Sequence, residues 1–511
     1  MEREFTREAF NELKDLLGEE YVENDPGVTQ AYAKQPWPEA LLVMQRPSAV
    51  VLPASTADVQ AIYKLANKHD FSVIPAGNYN WDVPHARGTV IVDSKRMNRI
   101  ISIDEQAQFA VVEPGVTTTQ LQAEAMKKGL ICNGSFAGPN ATILANSIFF
   151  GAGGANYRLG CGRSVLAMDW VTPQGDCIRS GSLASPGDDY FWPEGPGPDL
   201  RGLLRAFFGV MGGMGMVTRM GVKLLPWVGP KEPEPVGLLP DKRFFLPENL
   251  FRFHLLRYPT LEKLGDALYE IGKAEISWMV QRLPGIFWPM LATTSKEAFW
   301  REWNSGYYHK EAQNIIILWN VACTSEEQLA YEEEVLGQIV EETGGEDLPK
   351  EHKLYRMFPS EEWLRVSKSG RIMRPGGSHN ITMCGFDSVD KAIKTAQRAD
   401  EVRKQFKESF LDDGNCDWIC TYDFAWEADA ECIILPEVDK ENAAKSMEVT
   451  QAGIAAALQD KLYTVVQVAE TAPVLGPVYG NYHELLKKIK RSYDPNNVAN
   501  PPNPVNIAAE E

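Results

Sequence analysis

The sequence predicts a protein of mixed helices and strands, in either the α/β or the α+β class, and three observations support this prediction. Short apolar runs of strand length alternate with amphipathic segments in the N-terminal third of the chain. Hydrophobic residues make up 44% of the chain and charged residues 23%, the balance of a globular protein with a large core. The length of 511 residues indicates about two or three domains.

The N-terminal elements can be placed from apolar periodicity and capping signals. Residues 5–22 fit an amphipathic helix, because Phe10, Leu13 and Leu17 recur at helical spacing. Ser55 precedes a second periodic run and predicts a capped helix start. The other expected elements are strands at 49–52, 71–75, 89–93 and 109–113, a loop and helix at 116–128, and a helix at 482–492.

A change of composition indicates a second domain. Residues 226–240 are rich in Pro, Gly and Glu and are typical of a linker. Residues 250–430 then hold eight of the thirteen tryptophans, which predicts a separate core. Residues 493–503 are rich in Asn and Pro and are typical of a turn-rich tail.

Net charge and missing motifs exclude several classes of function. The 51 basic and 69 acidic side chains give a net charge of −18, which disfavours nucleic-acid binding. The sequence has no signal-peptide pattern and no apolar run of about 20 residues, so we expect a cytoplasmic protein without a membrane span. Its eight cysteines and seven histidines are dispersed, which predicts reduced thiols and no metal site.

Nucleotide-binding signals are restricted to turns that contain glycine. The sequence lacks GxGxxG after an early strand and also lacks the P-loop, HExxH and GxSxG motifs. The segment 75–80, Pro-Ala-Gly-Asn-Tyr-Asn, follows a predicted strand and could present backbone N–H groups to a pyrophosphate. By itself, such a segment is more often an ordinary tight turn.

Several weak motifs occur together in a characteristic order. They resemble the FAD-binding domain of the vanillyl-alcohol oxidase/p-cresol methylhydroxylase flavoprotein family over about residues 45–226 and the last ~30 residues. The segments that carry the resemblance are 47–53, 74–77, 92–100, 112–116, 142–146, 151–154, 169–176, 198–203, 215–218 and 493–501.

The resemblance implies an α+β fold. In this family the FAD-binding domain has two α+β subdomains with FAD between them, and a cap domain with an antiparallel sheet flanked by helices forms the substrate pocket. Here it implies an FAD-binding domain at 1–228, a cap at 229–462 and a C-terminal return at 463–511.

The resemblance also assigns residues to FAD. The turn at 75–80 would bind the pyrophosphate, and the turn at 114–118 would line the cofactor. The segment 142–151 would run beside the ribityl chain and the flavin edge, residues 215 and 217 would contact the adenine half, and the tail would approach the flavin ring or the ribityl chain. The implied FAD-binding residues are Pro75, Ala76, Gly77, Asn78, Tyr79, Asn80, Pro114, Gly115, Val116, Thr118, Thr142, Ala145, Asn146, Gly151, Gly215, Val217 and Asn500.

Four departures from the family pattern limit what can be carried over. Many members have Arg or more Gly in the pyrophosphate loop, whereas this chain has Asn-Tyr-Asn-Trp at 78–81. The cap strand 428–435 has no His or Tyr to bind flavin covalently, which favours non-covalent FAD, and Tyr79, Tyr422 and His379 are the residues that could reverse this expectation. The region 421–431 lacks the histidines of the metal-binding segment of 2-hydroxy-acid dehydrogenases. The Tyr–Arg pair of phenol-oxidising members is only half present, because Thr464 follows Tyr463.

The chemistry implied is hydride transfer from a C–H bond to flavin N5, assisted by a base. His379 is the candidate base or substrate donor, and a role in core or surface structure is an equal alternative. Tyr422 is a candidate for binding a substrate oxygen. Glu427 would transfer a proton if buried among aromatic rings, and Tyr463 is the fourth catalytic candidate.

We therefore expect an FAD-dependent oxidoreductase that acts on a small alcohol, phenol or hydroxy acid. Three alternatives stay open: a dehydrogenase subunit that passes electrons to a protein partner, a non-catalytic electron-transfer flavoprotein, and a nucleotide-binding module without flavin. The expected partners are a small-molecule substrate, a protein electron acceptor under the first alternative and, because many family members are dimers, a second copy of the chain.

Overall fold

The structure is a computed structural model that describes most of the chain. The described residues are 3–33, 45–77, 88–134, 140–150, 156–181, 199–205, 210–237, 244–357, 375–378, 380–406, 417–462 and 468–507. Within these residues, no helix is both long enough and apolar enough to cross a membrane.

The first sheet has four strands in the order β1-β2-β4-β3. Its central pairs β2–β4 and β4–β3 are parallel, so its core strands are rich in buried aliphatic residues. The strands are β1 (Val22–Glu23), β2 (Ala49–Val51), β3 (Ser72–Ala76) and β4 (Thr89–Asp93). The accompanying helices are α1 (Arg7–Leu17), α2 (Pro26–Tyr32) and α3 (Thr56–His69), and Thr6, Asp25 and Ser55 cap their N-termini.

The second sheet is antiparallel and follows the order β5-β6-β10-β8-β9, with β7 also paired to β10. Its strands are β5 (Ile100–Asp104), β6 (Phe109–Val112), β7 (Leu130–Cys132), β8 (Val165–Val171), β9 (Cys177–Arg179) and β10 (Met216–Pro226). Helix α4 (Thr118–Lys127) begins at a capping box formed by Thr117 and Gln120, and a short α5 (Ile143–Ala145) follows β7.

A third, antiparallel sheet of seven strands forms the middle of the chain, in the order β14-β11-β13-β12-β16-β17-β15. All seven residues of β13 are buried, as expected for a strand covered on both faces. The strands are β11 (Phe251–Arg257), β12 (Met279–Arg282), β13 (Ile315–Val321), β14 (Glu346–Asp347), β15 (Asn380–Asp387), β16 (Asp417–Tyr422) and β17 (Glu427–Ile434).

Long helices cover one face of this sheet, and an aromatic cluster covers the other. Thr260, Ser325, Ser388 and Asp439 cap the four covering helices. These are α6 (Leu261–Lys273), α10 (Glu326–Thr343), α12 (Val389–Lys404) and α13 (Lys440–Asp460). Shorter helices on the aromatic side are α7 (Phe287–Ala292), α8 (Lys296–Trp303), α9 (Tyr307–Glu311) and α11 (Lys353–Met357).

The C-terminal residues return to the first sheet. Helices α14 (Val468–Leu475) and α15 (Tyr482–Tyr493) precede a tail in which Ala499 pairs in parallel with Val73 of β3. The chain thus forms two small sheets, a seven-stranded sheet flanked by helices and a tail that rejoins the start. The predicted domain bounds at 228/229 and 462/463 stay predictions.

Candidate FAD and substrate site

The turn after β3 meets a segment that is distant in the sequence. A Cβ atom added to Gly77 would lie 3.3 Å from Oγ1 of Thr142, so the backbone of Gly77 packs closely against the Thr142 side chain. Pro75, Ala76 and Gly77 end β3, and the hydroxyl group of Ser94 donates to the Ala76 carbonyl oxygen at 3.1 Å. The sequence prediction placed both segments beside FAD, and the structure brings Gly77 and Thr142 together.

The predicted turns at 114–118 and 142–146 form one hydrogen-bonded unit. Thr117 and Thr142 form an antiparallel bridge, and the Ile143 N–H donates to the Val116 carbonyl oxygen at 3.0 Å. The backbone N–H and hydroxyl groups of Thr118 both donate to the Ala141 carbonyl oxygen, at 2.9 and 3.0 Å. Backbone contacts therefore fix these segments relative to each other.

Local bonds also shape the ends of these two turns. The Thr142 hydroxyl oxygen accepts the N–H of Ala145 at 3.2 Å, and Asn146 is buried at the end of the short α5. Gly115, which follows Pro114, packs against the backbone of Ser94. A Cβ atom added to Gly115 would lie 2.5 Å from the Ser94 carbonyl oxygen. The side chain of Val116 is fully buried in the core. Any contact of Gly115 and Val116 with a cofactor would therefore use their backbone.

A loop at 210–215 closes over the end of β3. An added Cβ on Gly212 would lie 2.5 Å from Cδ of Pro75, and one on Gly215 would lie 2.1 Å from the Val171 carbonyl oxygen. Gly215 has a φ of +102°, which disfavours side chains other than glycine. The side chain of Val217, by contrast, lies in the core beside β8.

The C-terminal tail connects β3 to this loop through Asn500. Its backbone N–H donates to the Val73 carbonyl oxygen at 2.9 Å, and its Nδ2 donates to the Met211 carbonyl oxygen at 2.6 Å. Asn500 is fully buried. The predicted FAD-binding residues 75–77, 215 and 500 thus belong to one contiguous region.

On the seven-stranded sheet, two predicted catalytic residues lie opposite each other. Tyr422 at the end of β16 pairs in register with Glu427 at the start of β17. Tyr422 is 1% exposed, and its ring centroid lies 6.2 Å from that of Phe386. Cross-strand partners project from the same face of a sheet. Both side chains therefore lie on the aromatic face.

Strand β17 places two further carboxyl groups on this face. Glu427, Asp429 and Glu431 alternate with alanines, and alternate residues of a strand share one face. We call these three residues the acidic ladder. Asp429 and Glu431 are 5% and 7% exposed, and the Cys384 thiol donates to Oδ1 of Asp429 at 3.7 Å.

The electrostatic environment favours protonated carboxyl groups in the ladder. Burial raises the pKa of Glu431 to about 7. Burial and the neighbouring Glu431 raise the pKa of Asp429 well above its usual value. Burial and Asp423 raise the pKa of Glu427, while Arg163 opposes this shift. Near neutral pH the environment therefore favours the uncharged form of Asp429, and Glu431 changes its protonation in this range.

The tip of the β16–β17 hairpin packs against residues 156–163. Oδ1 of Asp423 accepts the Gly160 N–H at 3.3 Å, and Arg163 pairs with Asp423 at 3.0 Å. Arg163 also lies 4.0 Å from Glu427. Asp423, Phe424 and Ala425 have φ values of 50°, 57° and 60°, a conformation that costs non-glycine residues about 1–2 kcal/mol each. Contacts with residues 156–163 hold this strained tip.

Comparisons with known proteins identify the N-terminal region. A model of the FAD binding domain matches residues 47–181. The 4-cresol dehydrogenase [hydroxylating] flavoprotein subunit of Pseudomonas putida is 29% identical over 53% of this chain and 52% of its own length. The solved structure of p-cresol methylhydroxylase with substrate bound has a TM-score of 0.77 at 18% identity and covers 99% of both chains. Residues 47–181 match an FAD binding domain, and the chain has the same fold as p-cresol methylhydroxylase.

Other relatives differ in the substrate that their names state. D-2-hydroxyglutarate dehydrogenase of Stutzerimonas stutzeri is 33% identical over 42% of this chain and 44% of its own length. The chain thus spans about half the length of the curated relatives it matches. The 4-ethylphenol oxidase structure from Gulosibacter chungangensis has a TM-score of 0.76 at 19% identity, over 98% of this chain and 96% of that one. These matches confirm the predicted α+β fold.

The residues of the FAD-binding domain fit its cofactor. The converging segments 75–77, 114–118, 142–146 and 210–215 contain no charged side chain. The carboxylates of Asp93 and Glu113 beside them are paired, with Lys95 at 2.8 Å and Arg99 at 2.7 Å. A pyrophosphate held by backbone amides here would meet no unpaired carboxylate from these two residues.

Six predicted site residues lie outside the described residues, and their predictions stay untested. They are Asn78, Tyr79, Asn80, Gly151, His379 and Tyr463. Among the described residues, no group of three His, Cys, Asp or Glu side chains is close enough to hold a metal ion.

Sequence analysis missed Asp429 and Glu431. The available signal was the alternation Glu-Ala-Asp-Ala-Glu from 427 to 431, directly before the apolar run at 432–435. Carboxyl groups at every second position of a buried strand must share one face, and this periodicity could have identified them.

Proposed function

We propose that this chain is an FAD-dependent oxidoreductase that takes a hydride from an uncharged substrate bearing a hydroxyl group, a phenol or an alcohol. The observation that carries the proposal is the acidic ladder on the aromatic face of the cap sheet, next to a hairpin that contacts the FAD-binding domain. FAD, when bound, supplies the hydride acceptor.

The charge of this face favours an uncharged substrate over a 2-hydroxy acid. A substrate carboxylate requires a cation or several donors, because burying an unpaired charge is costly. Arg163 is a cation at the end of the ladder, 4.0 Å from Glu427, and its guanidinium group already pairs with Asp423 at 3.0 Å. Protonated Asp429 and Glu431 could instead donate hydrogen bonds to a substrate oxygen.

Aromatic side chains supply the remaining surface. Trp418 donates from Nε1 to the buried Gln281 at 3.1 Å, and its ring centroid lies 5.9 Å from that of Phe287. Tyr422 lies four residues after Trp418 on β16, and its side chain therefore projects from the same face of the sheet. A flat apolar substrate would pack well against such rings.

Glu427 is our proposed proton acceptor. It lies at the end of the ladder that contacts the FAD-binding domain, and its raised pKa brings the carboxylate closer to the optimum for a general base near neutral pH. Tyr422, its cross-strand partner, would orient the substrate. His379 is the alternative base and Tyr463 the alternative substrate-binding residue, on sequence grounds.

An anaerobic substrate panel tests the proposal. The purified protein with FAD is mixed with a 4-alkylphenol, a benzylic alcohol and D-2-hydroxyglutarate, and the visible flavin absorbance is followed. We expect the phenol or the alcohol to bleach the flavin and the hydroxy acid not to. Faster bleaching by the hydroxy acid would overturn the substrate class, and no bleaching by any compound of these classes would favour a non-catalytic flavoprotein.

The name of one relative supports a second possibility for the electron acceptor. It is the flavoprotein subunit of 4-cresol dehydrogenase, and a subunit implies a partner protein in that enzyme. After anaerobic bleaching, air is admitted and reoxidation is timed. Reoxidation within seconds supports an oxidase, whereas reoxidation over many minutes supports a protein electron acceptor.

A further inference from the structure

Lys490 is a completely buried lysine at the C-terminal end of α15. Its Nζ lies within hydrogen-bond distance of four oxygen atoms. Three are backbone carbonyl oxygens, of Asn503 at 2.7 Å, Gly213 at 2.9 Å and Ala499 at 2.9 Å. The fourth is Oδ2 of Asp494 at 3.3 Å. We call these four oxygen atoms the cage. An ammonium group has three N–H donors, and the cage can accept a hydrogen bond from each of them.

The cage joins segments that the FAD-binding site requires. Gly213 belongs to the loop at 210–215, where the adjacent Gly212 packs against Pro75 at the end of β3. Ala499 and Asn503 belong to the tail, and Asn500 between them bonds to both β3 and the loop. Lys490 therefore lies behind the junction of β3, the loop and the tail.

Asp494 is itself held in place by the tail. Its two carboxylate oxygens accept the N–H groups of Val498 at 2.8 Å and Ala499 at 3.0 Å. The same carboxylate therefore fixes the tail's backbone and faces the ammonium group. Breaking a buried pair of this kind leaves an uncompensated charge.

Few other charged groups face the cage. Neither the loop at 210–215 nor the tail from 495 to 503 contains a titratable side chain. Arg3 from the N-terminal segment acts on Lys490 through its charge, and the fully buried Tyr63 from α3 lies in the field of Asp494. The charge state of the cage is therefore set mainly by Lys490 and Asp494.

We propose that Lys490 is a positioning residue whose ammonium group holds the 210–215 loop and the tail in the conformation that binds FAD. A neutral amine at this position would have two donors for four acceptors, and its lone pair would face a carbonyl oxygen. The loop and tail would then lose part of their attachment, and FAD affinity would fall. The proposal depends on FAD binding and not on the substrate.

The charge of Lys490 changes in an accessible pH range. Burial lowers the pKa of Lys490 to about 8, and Asp494 opposes this shift. If the protonated form binds FAD more tightly, the dissociation constant of FAD must rise as the pH increases through about 8.

The test is a titration of the apoprotein with FAD, followed by flavin fluorescence. Lys490→Met removes the ammonium group, and Lys488→Met removes an exposed lysine from the same helix as a matched control. We expect the dissociation constant to rise about tenfold or more in Lys490→Met and to change less than about twofold in Lys488→Met. Wild-type affinity in Lys490→Met would overturn the proposal.

A pH profile separates positioning from a general loss of structure. The dissociation constant should rise between about pH 7 and 9 in the wild type and in Lys488→Met, and should not follow that rise in Lys490→Met. If Lys490→Met does not fold, Asp494→Asn replaces it. Loss of the carboxylate charge should move the midpoint of the profile to lower pH. An unmoved midpoint, or one profile shared by Lys490→Met and the wild type, would contradict the proposal.

Discussion

Tyr422 and Glu427 are register partners across the β16–β17 hairpin, at the end of the seven-stranded sheet that contacts residues 156–163. The six residues of the hairpin from 422 to 427 thus place a buried phenol ring and a half-buried carboxyl group on the same face. Arg163 of the FAD-binding domain lies within 4.0 Å of both Asp423 and Glu427. The positions of Tyr422 and Glu427 therefore depend on that domain as well as on the sheet.

The Glu427→Gln variant should reduce the flavin more slowly with its substrate. Gln cannot accept the substrate proton, so we expect the rate of anaerobic flavin reduction to fall about 100-fold. Stopped-flow absorbance measures this rate, and FAD titration checks that cofactor binding is kept. Glu441→Gln, which changes an exposed carboxylate on α13, is the control. A rate of flavin reduction within about twofold of the wild-type rate would exclude Glu427 as the base.

The His379→Asn variant tests the competing base. If His379 takes the proton, flavin reduction should slow about tenfold or more. If Glu427 takes it, the same stopped-flow measurement should give a nearly unchanged rate. The two variants together therefore distinguish the candidates, and a large loss in both would indicate a shared proton path.

The Gly213→Ala variant should weaken the junction between the loop and the tail. Its new Cβ would lie 1.9 Å from the Asn503 carbonyl oxygen, and relieving that overlap should cost about 1–3 kcal/mol of stability. Thermal unfolding measures the loss. Gly202→Ala is the matched control, because nothing lies within 4 Å of its added Cβ. Equal melting temperatures for the two variants would show that the tail can move away.

The stability of the protein should depend on the charge of His254 on β11. Burial alone would lower the pKa of His254, but hydrogen bonds with Asp347 at 2.7 Å and Glu333 at 3.0 Å raise it to about 9. Because the folded state holds the proton more tightly, this contribution is present below about pH 6.5 and is lost as the pH rises through about 9.

Urea unfolding at about pH 6 and pH 9 measures this contribution. We expect the wild type to lose up to roughly 3 kcal/mol more than His254→Gln over that range. The same pH dependence in both proteins would mean that His254 is not protonated between Asp347 and Glu333.

The Glu431→Gln variant should be more stable than the wild type in alkaline solution. Burial raises the pKa of Glu431 from its usual value to about 7. Ionisation of this buried carboxyl group therefore lowers the free energy of unfolding as the pH rises. We expect similar stabilities near pH 4 and an advantage for Glu431→Gln of up to roughly 3 kcal/mol near pH 8. Urea unfolding measures both, with the exposed Glu334→Gln as control. A variant that is less stable at pH 8 would show that the ionised carboxylate has a partner.

Local sequence signals predicted the early elements well. The strand expected at 89–93 is Thr89–Asp93, and the helix expected at 482–492 is Tyr482–Tyr493. The helix expected over 5–22 is shorter, Arg7–Leu17, because Thr6 caps its start and Gly18 ends it. Capping residues and periodicity are local properties, and they can be recognised without knowledge of the tertiary structure.

Pairing between distant residues could not be predicted in this way. The sequence does not indicate that Lys490 is buried, since it lies in Lys-Lys-Ile-Lys beside lysines that are more exposed. Its burial depends on the tail folding back beside β3. The contact of Gly77 with Thr142 follows only from the family resemblance, because no local rule joins two turns so far apart.

The sequence by itself determined the α+β elements, the neutral glycine turns and the family of the FAD-binding domain, because all three depend on residue type and order. Only the tertiary structure decided which side chains meet: the ladder of Glu427, Asp429 and Glu431 on the aromatic face, and the cage around Lys490. The protonation of these groups depends on burial and on neighbours from remote segments, and folding alone brings those neighbours together.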